Sequence, residues 1–269
     1  MKAAVFRGAG EIEIADIPVP EPGPGDVLVQ VHYCGVCGSD IEAYQTGMYE
    51  PGLVIGHEFA GEIVALGHGV TGWALGDRVT ADNVLPCGQC AFCREGRPIL
   101  CQQVLSPGVT MDGGMAEYVR LPVQVLHRLP ADVSMRQGAL VEPLSIALYG
   151  VSSSALRVGD QALVLGAGPI GLLTLQCALL AGARRVLVAE VNPTRAALAI
   201  RLGADGVFHP LKEDLAVELP AYTGGRGPEV VFVCTPAPAA YHDARSLAAA
   251  IASLGGWSVC CRTPTGYWT

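Results

Sequence analysis

The spacing of apolar and polar positions changes along the chain. Up to about residue 130 the apolar residues come in short runs of period two, broken by Gly and Pro. Val27–Tyr33 (V-L-V-Q-V-H-Y) alternates as a half-buried strand does. Residues 62–67 and 76–80 read as further short strands, and Met1–Arg7 as the start of another. Pro18, Pro20, Pro22 and Pro24 stiffen the stretch before Val27. This part predicts a compact, irregular β domain.

From about residue 135 the period lengthens. Residues 135–156 carry helix formers and small apolar side chains. A strand over 161–165 is followed by a helix over 169–181, a strand over 185–190 and a helix over 193–202. A short strand over 205–208, a helix over 211–222, a strand over 229–234, a helix over 239–254 and a strand over 257–260 complete the series. Strands alternating with helices of this length predict an α/β architecture with a doubly wound parallel sheet. The boundary is placed near residue 150, giving domains over 1–150 and 151–269. The pattern yields five strands, whereas a fold of two mononucleotide-binding halves has six. The closing R-T-P-T-G-Y-W-T reads as neither helix nor strand, so the sheet is expected to be incomplete at its C-terminal end.

Composition narrows the function classes. A net charge of −8, with no basic stripe carrying interleaved aromatics, argues against nucleic acid. The apolar run over 162–183 has the length of a membrane span. Gly166, Gly168, Pro169 and Gly171 break it into strand, turn and helix, so no membrane partner is expected. No export signal opens the chain, which points to the cytoplasm and makes metal ligation the better reading of its ten cysteines.

Four of those cysteines, Cys87, Cys90, Cys93 and Cys101, are spaced C-x2-C-x2-C-x7-C within residues 86–102. Four thiolates on one loop make a closed tetrahedral zinc site. Further donors are scattered: Cys37 in G-V-C-G-S-D, His57 in G-H-E-F-A-G and Glu142 in V-E-P-L-S. Thiolate, imidazole and carboxylate all suit zinc, and these three converge only if the two halves form a cleft. Gly166-Ala167-Gly168-Pro169-Ile170-Gly171 is G-x-G-x-x-G between a strand and a helix. Glu190 follows at the end of the next strand, where a carboxylate takes the ribose hydroxyls of NAD and repels a 2′-phosphate. Arg195, five residues on, leaves some room for NADP. Asp40 is read as an N-cap.

Taken together, G-H-E-F-A-G-E-I-V-A-L-G-H-G-V (56–70), C-G-S-D, the cysteine lobe, D-G-G-M-A-E-Y-V (112–119) and E-P-L-S resemble the zinc-dependent medium-chain alcohol dehydrogenases in content and order, over residues 1 to about 235. The E-P-L at 142–144 is similar to the sorbitol, threonine and butanediol dehydrogenase branch. The resemblance implies a GroES-like β domain joined to a Rossmann domain, with two zinc ions per chain and NAD. Catalytic zinc would sit on Cys37 and His57, with Glu58 and Glu142 as further or exchanging ligands, and structural zinc on the four cysteines. Ser39 would relay the proton of an alcohol bound as zinc alkoxide. A secondary alcohol or polyol is the implied substrate, with threonine or 2,3-butanediol as alternatives. A dimer or tetramer is the implied assembly. The family pattern carries a histidine where Glu42 stands here, so Glu42 is a candidate proton acceptor. The family also returns to its first domain after the sheet. The chain is accordingly read as C-terminally truncated, and a zinc- and NAD-binding chain without turnover is the competing function. Zinc-free quinone or enone reduction needs neither Cys37 and His57 nor the lobe.

Overall fold

The computed structural model describes residues 1–240, Ala244, Leu247 and the backbone of 258–261. The chain divides into two compact units, Met1–Glu142 and Pro143–Thr269.

The first unit opens with an antiparallel hairpin, β1 (Lys2–Gly8) and β2 (Glu11–Asp16). A second sheet follows, built from β3 (Asp26–Gly35), β4 (Glu58–Leu66), β5 (Arg78–Ala81), β6 (Tyr118–Pro122) and β7 (Leu126–Arg128), in the order β6-β3-β4-β5-β7. Val27, Val29, Phe59, Ile63, Val79, Val119 and Leu121 fill its core. The long β3–β4 pair carries two bulges, one of which leaves His32 without a partner between Val31↔Gly61 and Tyr33↔Ala60. Before that bulge Val27, Val29 and Val31 face the core; after it Cys34 does, while Tyr33 is half exposed. Such a bulge admits one extra residue on one strand and bends the pair.

Helix α1 (Gly38–Thr46) leaves the end of β3 and stops at Gly47, whose φ of 79° closes the last turn. Its N-cap is Cys37; Asp40 stands three residues on, at N3, and its Oδ2 accepts the Cys37 N–H at 2.9 Å. Asp40 is thus not the cap itself but the reciprocal acceptor of a capping box. The lobe holds α2 (Ala91–Arg94) and a 3-10 turn at Pro98–Leu100, while α3 (Met135–Gly138) is capped by Ser134.

The second unit begins with α4 (Val141–Ser152), whose first two residues still belong to the first unit. Five parallel strands follow among the described residues: β8 (Gln161–Leu165), β9 (Arg185–Ala189), β10 (Gly206–Phe208), β11 (Val230–Val233) and β12 (Ser258–Cys261), in the order β10-β9-β8-β11-β12. All five residues of β8 are buried, as expected of a strand covered on both faces. Between the strands lie α5 (Pro169–Leu180), α6 (Pro193–Arg201) and α7 (Leu215–Thr223). Helix α7 starts four residues later than the sequence pattern predicts, because the Asp214 side chain caps it by accepting the Ala216 N–H. The helix expected over 239–254 falls mostly outside the described residues. Among those residues no helix is long and apolar enough to cross a membrane.

Candidate metal centre and nucleotide site

The end of the β3–β4 pair gathers the first set of donors. Cys37 stands two residues past β3, His57 immediately precedes β4, and Glu58 opens it. The ligand atoms of Cys37, His57 and Glu58 all lie within 4.8 Å of one another, and all three residues are buried. The sheet register puts Gly35 opposite Glu58, and the lack of a side chain there is required: a Cβ at Gly35 would collide with Glu58 Oε2.

Asp40 adds a further buried acid, which its place in the sequence suggested only as a cap. Its Oδ1 faces His57 Nδ1 at 3.8 Å, and both atoms are buried without a hydrogen-bond partner. A carboxylate behind one imidazole nitrogen leaves the other nitrogen for a metal, a recurrent arrangement around histidine ligands. The Ser39 hydroxyl lies against the Cys37 sulfur and Tyr49.

The charges explain why this cluster suits a cation. Burial opposes ionisation of Cys37, yet the hydrogen bond and charge of His57 outweigh it and hold the thiol below its ordinary value. Burial likewise disfavours the His57 cation, but contact with Cys37 and the charges of Asp40 and Glu142 raise it to about 9. Burial first, then the Glu142 charge, raise Glu58; burial raises Asp40. One thiol and three acids, Glu58, Asp40 and Glu142, therefore crowd one imidazole that holds its proton above the ordinary range. A divalent cation would take that proton's place and balance more of the negative charge, so the donor set fits zinc.

Glu142 is buried and close enough for its charge to act on both His57 and Glu58, but it stands outside the tight three-residue group. Its Oε1 accepts a hydrogen bond from Asn83 Nδ2 at 2.7 Å. Asn83, a lone amide in a loop, gave no sequence signal.

The second set is the lobe. The sulfurs of Cys87, Cys90, Cys93 and Cys101 lie within 4.8 Å of one another. Cys90 and Cys93 are 3.5 Å apart and Cys87 and Cys93 4.0 Å, far beyond a disulfide bond. Those separations bracket the edge of about 3.8 Å that a tetrahedron with Zn–S near 2.3 Å requires. The N–H groups of Cys87 and Gln103 point at the Cys101 sulfur, and that of Cys90 at the Cys87 sulfur. Backbone donors at Gln102 and Cys93 bring the Cys90 thiol down to about 6. Burial and its sulfur neighbours push the Cys93 thiol the other way, up to about 12, so a metal binding here would have to displace that proton.

In the second unit the glycine loop and Glu190 meet. Gly166 has a φ of 96°, and a Cβ at Gly171 would collide with the Gly166 carbonyl. Gly168 is the N-cap of α5, and a Cβ there would meet nothing within 4 Å. Its side opens into free space where a phosphate fits the helix N-terminus. Pro169 and Ile170 form the first turn of α5. Buried Glu190 accepts the Ala167 N–H at 2.7 Å on one oxygen and the Asn192 N–H at 2.7 Å on the other. Arg195 lies exposed in the first turn of α6. Cys234 and Thr235 pack beneath the loop.

Known proteins share this layout. Residues 23–131 match the alcohol dehydrogenase GroES-like domain, and residues 169–255 match the zinc-binding dehydrogenase domain. Sorbitol dehydrogenase of Bacillus subtilis (strain 168) is 33% identical over 252 residues, covering 91% of this chain and 71% of that protein. L-threonine 3-dehydrogenase of Pyrococcus horikoshii is 37% identical over 233 residues, covering 85% and 67%. Among solved structures, a protein of Sinorhizobium meliloti 1021 assigned as a zinc-binding dehydrogenase and bound to NADP superposes with a TM-score of 0.86. It is 35% identical and covers 91% of this chain and 73% of that one. A GroES-like domain, a zinc-binding dehydrogenase domain and relatives above 30% identity over most of their length place this chain in the zinc-dependent medium-chain alcohol dehydrogenase family.

Proposed function

We propose that this chain oxidises a secondary alcohol or polyol with NAD. In this reading one zinc is held by Cys37, His57 and Glu58 with Glu142 in reserve, and a second by Cys87, Cys90, Cys93 and Cys101. The observation that carries it is the buried convergence of Cys37, His57 and Glu58. When bound, zinc supplies Lewis-acid polarisation of the substrate hydroxyl and the nicotinamide supplies the hydride acceptor. Asp40 orients the His57 ring. Ser39, against the Cys37 sulfur, takes the hydroxyl proton and passes it towards solvent. The glycine loop at 166–171 and Glu190 would hold that cofactor, which would take the carbinol hydrogen with both bonding electrons and leave a carbonyl. Glu190 uses both oxygens on backbone donors, yet a carboxylate offers about four lone-pair sites, which leaves room for two ribose hydroxyls. NADP is the second reading, favoured by exposed Arg195 beside that position and by the NADP-bound relative.

The test joins metal analysis to NADH formation on a panel of polyols, diols and threonine. Two zinc ions per chain and turnover of a secondary alcohol are expected. Zinc and NAD both bound, with no NADH formed on any alcohol, would establish the non-catalytic alternative. A kcat/KM higher with NADP than with NAD would overturn the role given to Glu190.

A further inference from the structure

We propose that Asn83 is a positioning residue for the metal centre, holding Glu142 at its margin so that Glu58 is the carboxylate presented with Cys37 and His57. The inference rests on the metal-binding reading above. Three observations carry it. Glu142 is buried beside the centre but outside the group of donors that lie within 4.8 Å of one another. Asn83 Nδ2 donates to Glu142 Oε1 at 2.7 Å, and the amide must turn this edge to the carboxylate because its oxygen has nothing to donate. The loop that carries Asn83 is pinned on both sides. The Asp82 N–H reaches the Val125 carbonyl at 2.7 Å, and Leu85 and Leu105 exchange backbone bonds of 2.8 and 3.0 Å. Asn83 therefore has a fixed base from which to hold a charged partner.

Two carboxylates beside one cation compete for it. Both bound at once would add negative charge, weaken Lewis acidity and fill the position that substrate needs. A donor that occupies one oxygen of Glu142 biases the competition towards Glu58 without removing Glu142 as an exchanging ligand. Asn83→Ala withdraws that donor, and Glu142 then joins the metal.

The experiment uses the full chain loaded with Co2+. Spectra are taken as the difference from Cys37→Ala, which subtracts cobalt in the cysteine lobe. In Asn83→Ala the Cys37-dependent bands should lose intensity about threefold as coordination rises from four to five, and cobalt affinity in chelator competition should rise about tenfold. Asn83→Asp, which repels Glu142, should shift both the same way. Adding Glu142→Gln to Asn83→Ala should return both towards the parent, because an amide is a poor substitute for the anionic ligand. Unchanged bands and affinity in Asn83→Ala would overturn the proposal, as would weaker cobalt binding, which would mean that Asn83 holds Glu142 on the metal rather than off it. If the parent chain and Cys37→Ala bind cobalt with identical spectra, the metal-centre reading itself fails. Retention of lobe cobalt reports that each variant is folded.

Discussion

Gly35 and Asp40 show how single residues shape the Cys37–His57–Glu58 cluster without belonging to it. Gly35→Ala puts a methyl group where Glu58 Oε2 lies, so the carboxylate must leave the cluster. Zinc at this centre is expected to weaken at least tenfold, roughly the cost of losing one tuned ligand contact, while lobe zinc stays. Titration against a chelator, read as one zinc lost before the other, checks this. Asp40→Ala removes both the acceptor of the Cys37 N–H and the acid facing His57 Nδ1. It should weaken the same zinc about 10–100-fold and cost about 1 kcal/mol of stability in chemical denaturation through the lost acceptor of the Cys37 N–H. In the second unit, Gly171→Ala drives a methyl group into the Gly166 carbonyl, so NADH affinity measured by fluorescence should fall at least tenfold with the zinc content unchanged.

At the level of elements, the two metal sets rest on different supports. The Cys37–His57–Glu58 donors hang from the end of a long antiparallel pair with its own apolar core. The lobe has only a four-residue helix, a 3-10 turn and the Leu85–Leu105 bridge. Chelation should therefore open amide exchange across residues 86–102 and leave β3 and β4 protected, as read by hydrogen-exchange mass spectrometry. The same contrast explains what the sequence disclosed. Strands β8, β9 and β11 read clearly because parallel strands buried on both faces are unbroken apolar runs. The three-residue β7 and the five-residue β6 are too short to show a period, and β2 (E-I-E-I-A-D) hides its alternation among exposed acids. The lobe, Cys37 and His57 stood out because thiols and imidazoles are rare residue types, and the structure gathers them into two groups that could hold a metal. Asp40 was misplaced by three positions, since an Asp near a helix start suggests a cap before it suggests N3. Asn83 was illegible because an amide acquires meaning only from its partner, 59 residues away.

At the scale of the whole molecule, each unit buries its own core and gathers its own chemistry. Donors for metal lie in Met1–Glu142, and the glycine loop with Glu190 lies in Pro143–Thr269. NADH at about a hundred times its Kd should stabilise the fold that binds it by about 2.7 kcal/mol, seen as raised exchange protection in β8, β9 and β11. The bulge at His32 governs the first unit in a less visible way. It is the one place on β3 where the inward side changes from odd residue numbers to even ones. Deleting His32 would restore unbroken parity from Val27 onward. Cys34 and Tyr33 would keep their sides and Gly35 its place opposite Glu58, because the pairing of Val31 with Gly61 and of Tyr33 with Ala60 already passes over His32. The strand pair thus tolerates loss of the one β3 residue it does not use, whereas deleting Val36, between the end of β3 and Cys37, would draw Cys37 one step away from His57 and empty the centre, so the zinc content of the two deletions should differ by one ion per chain.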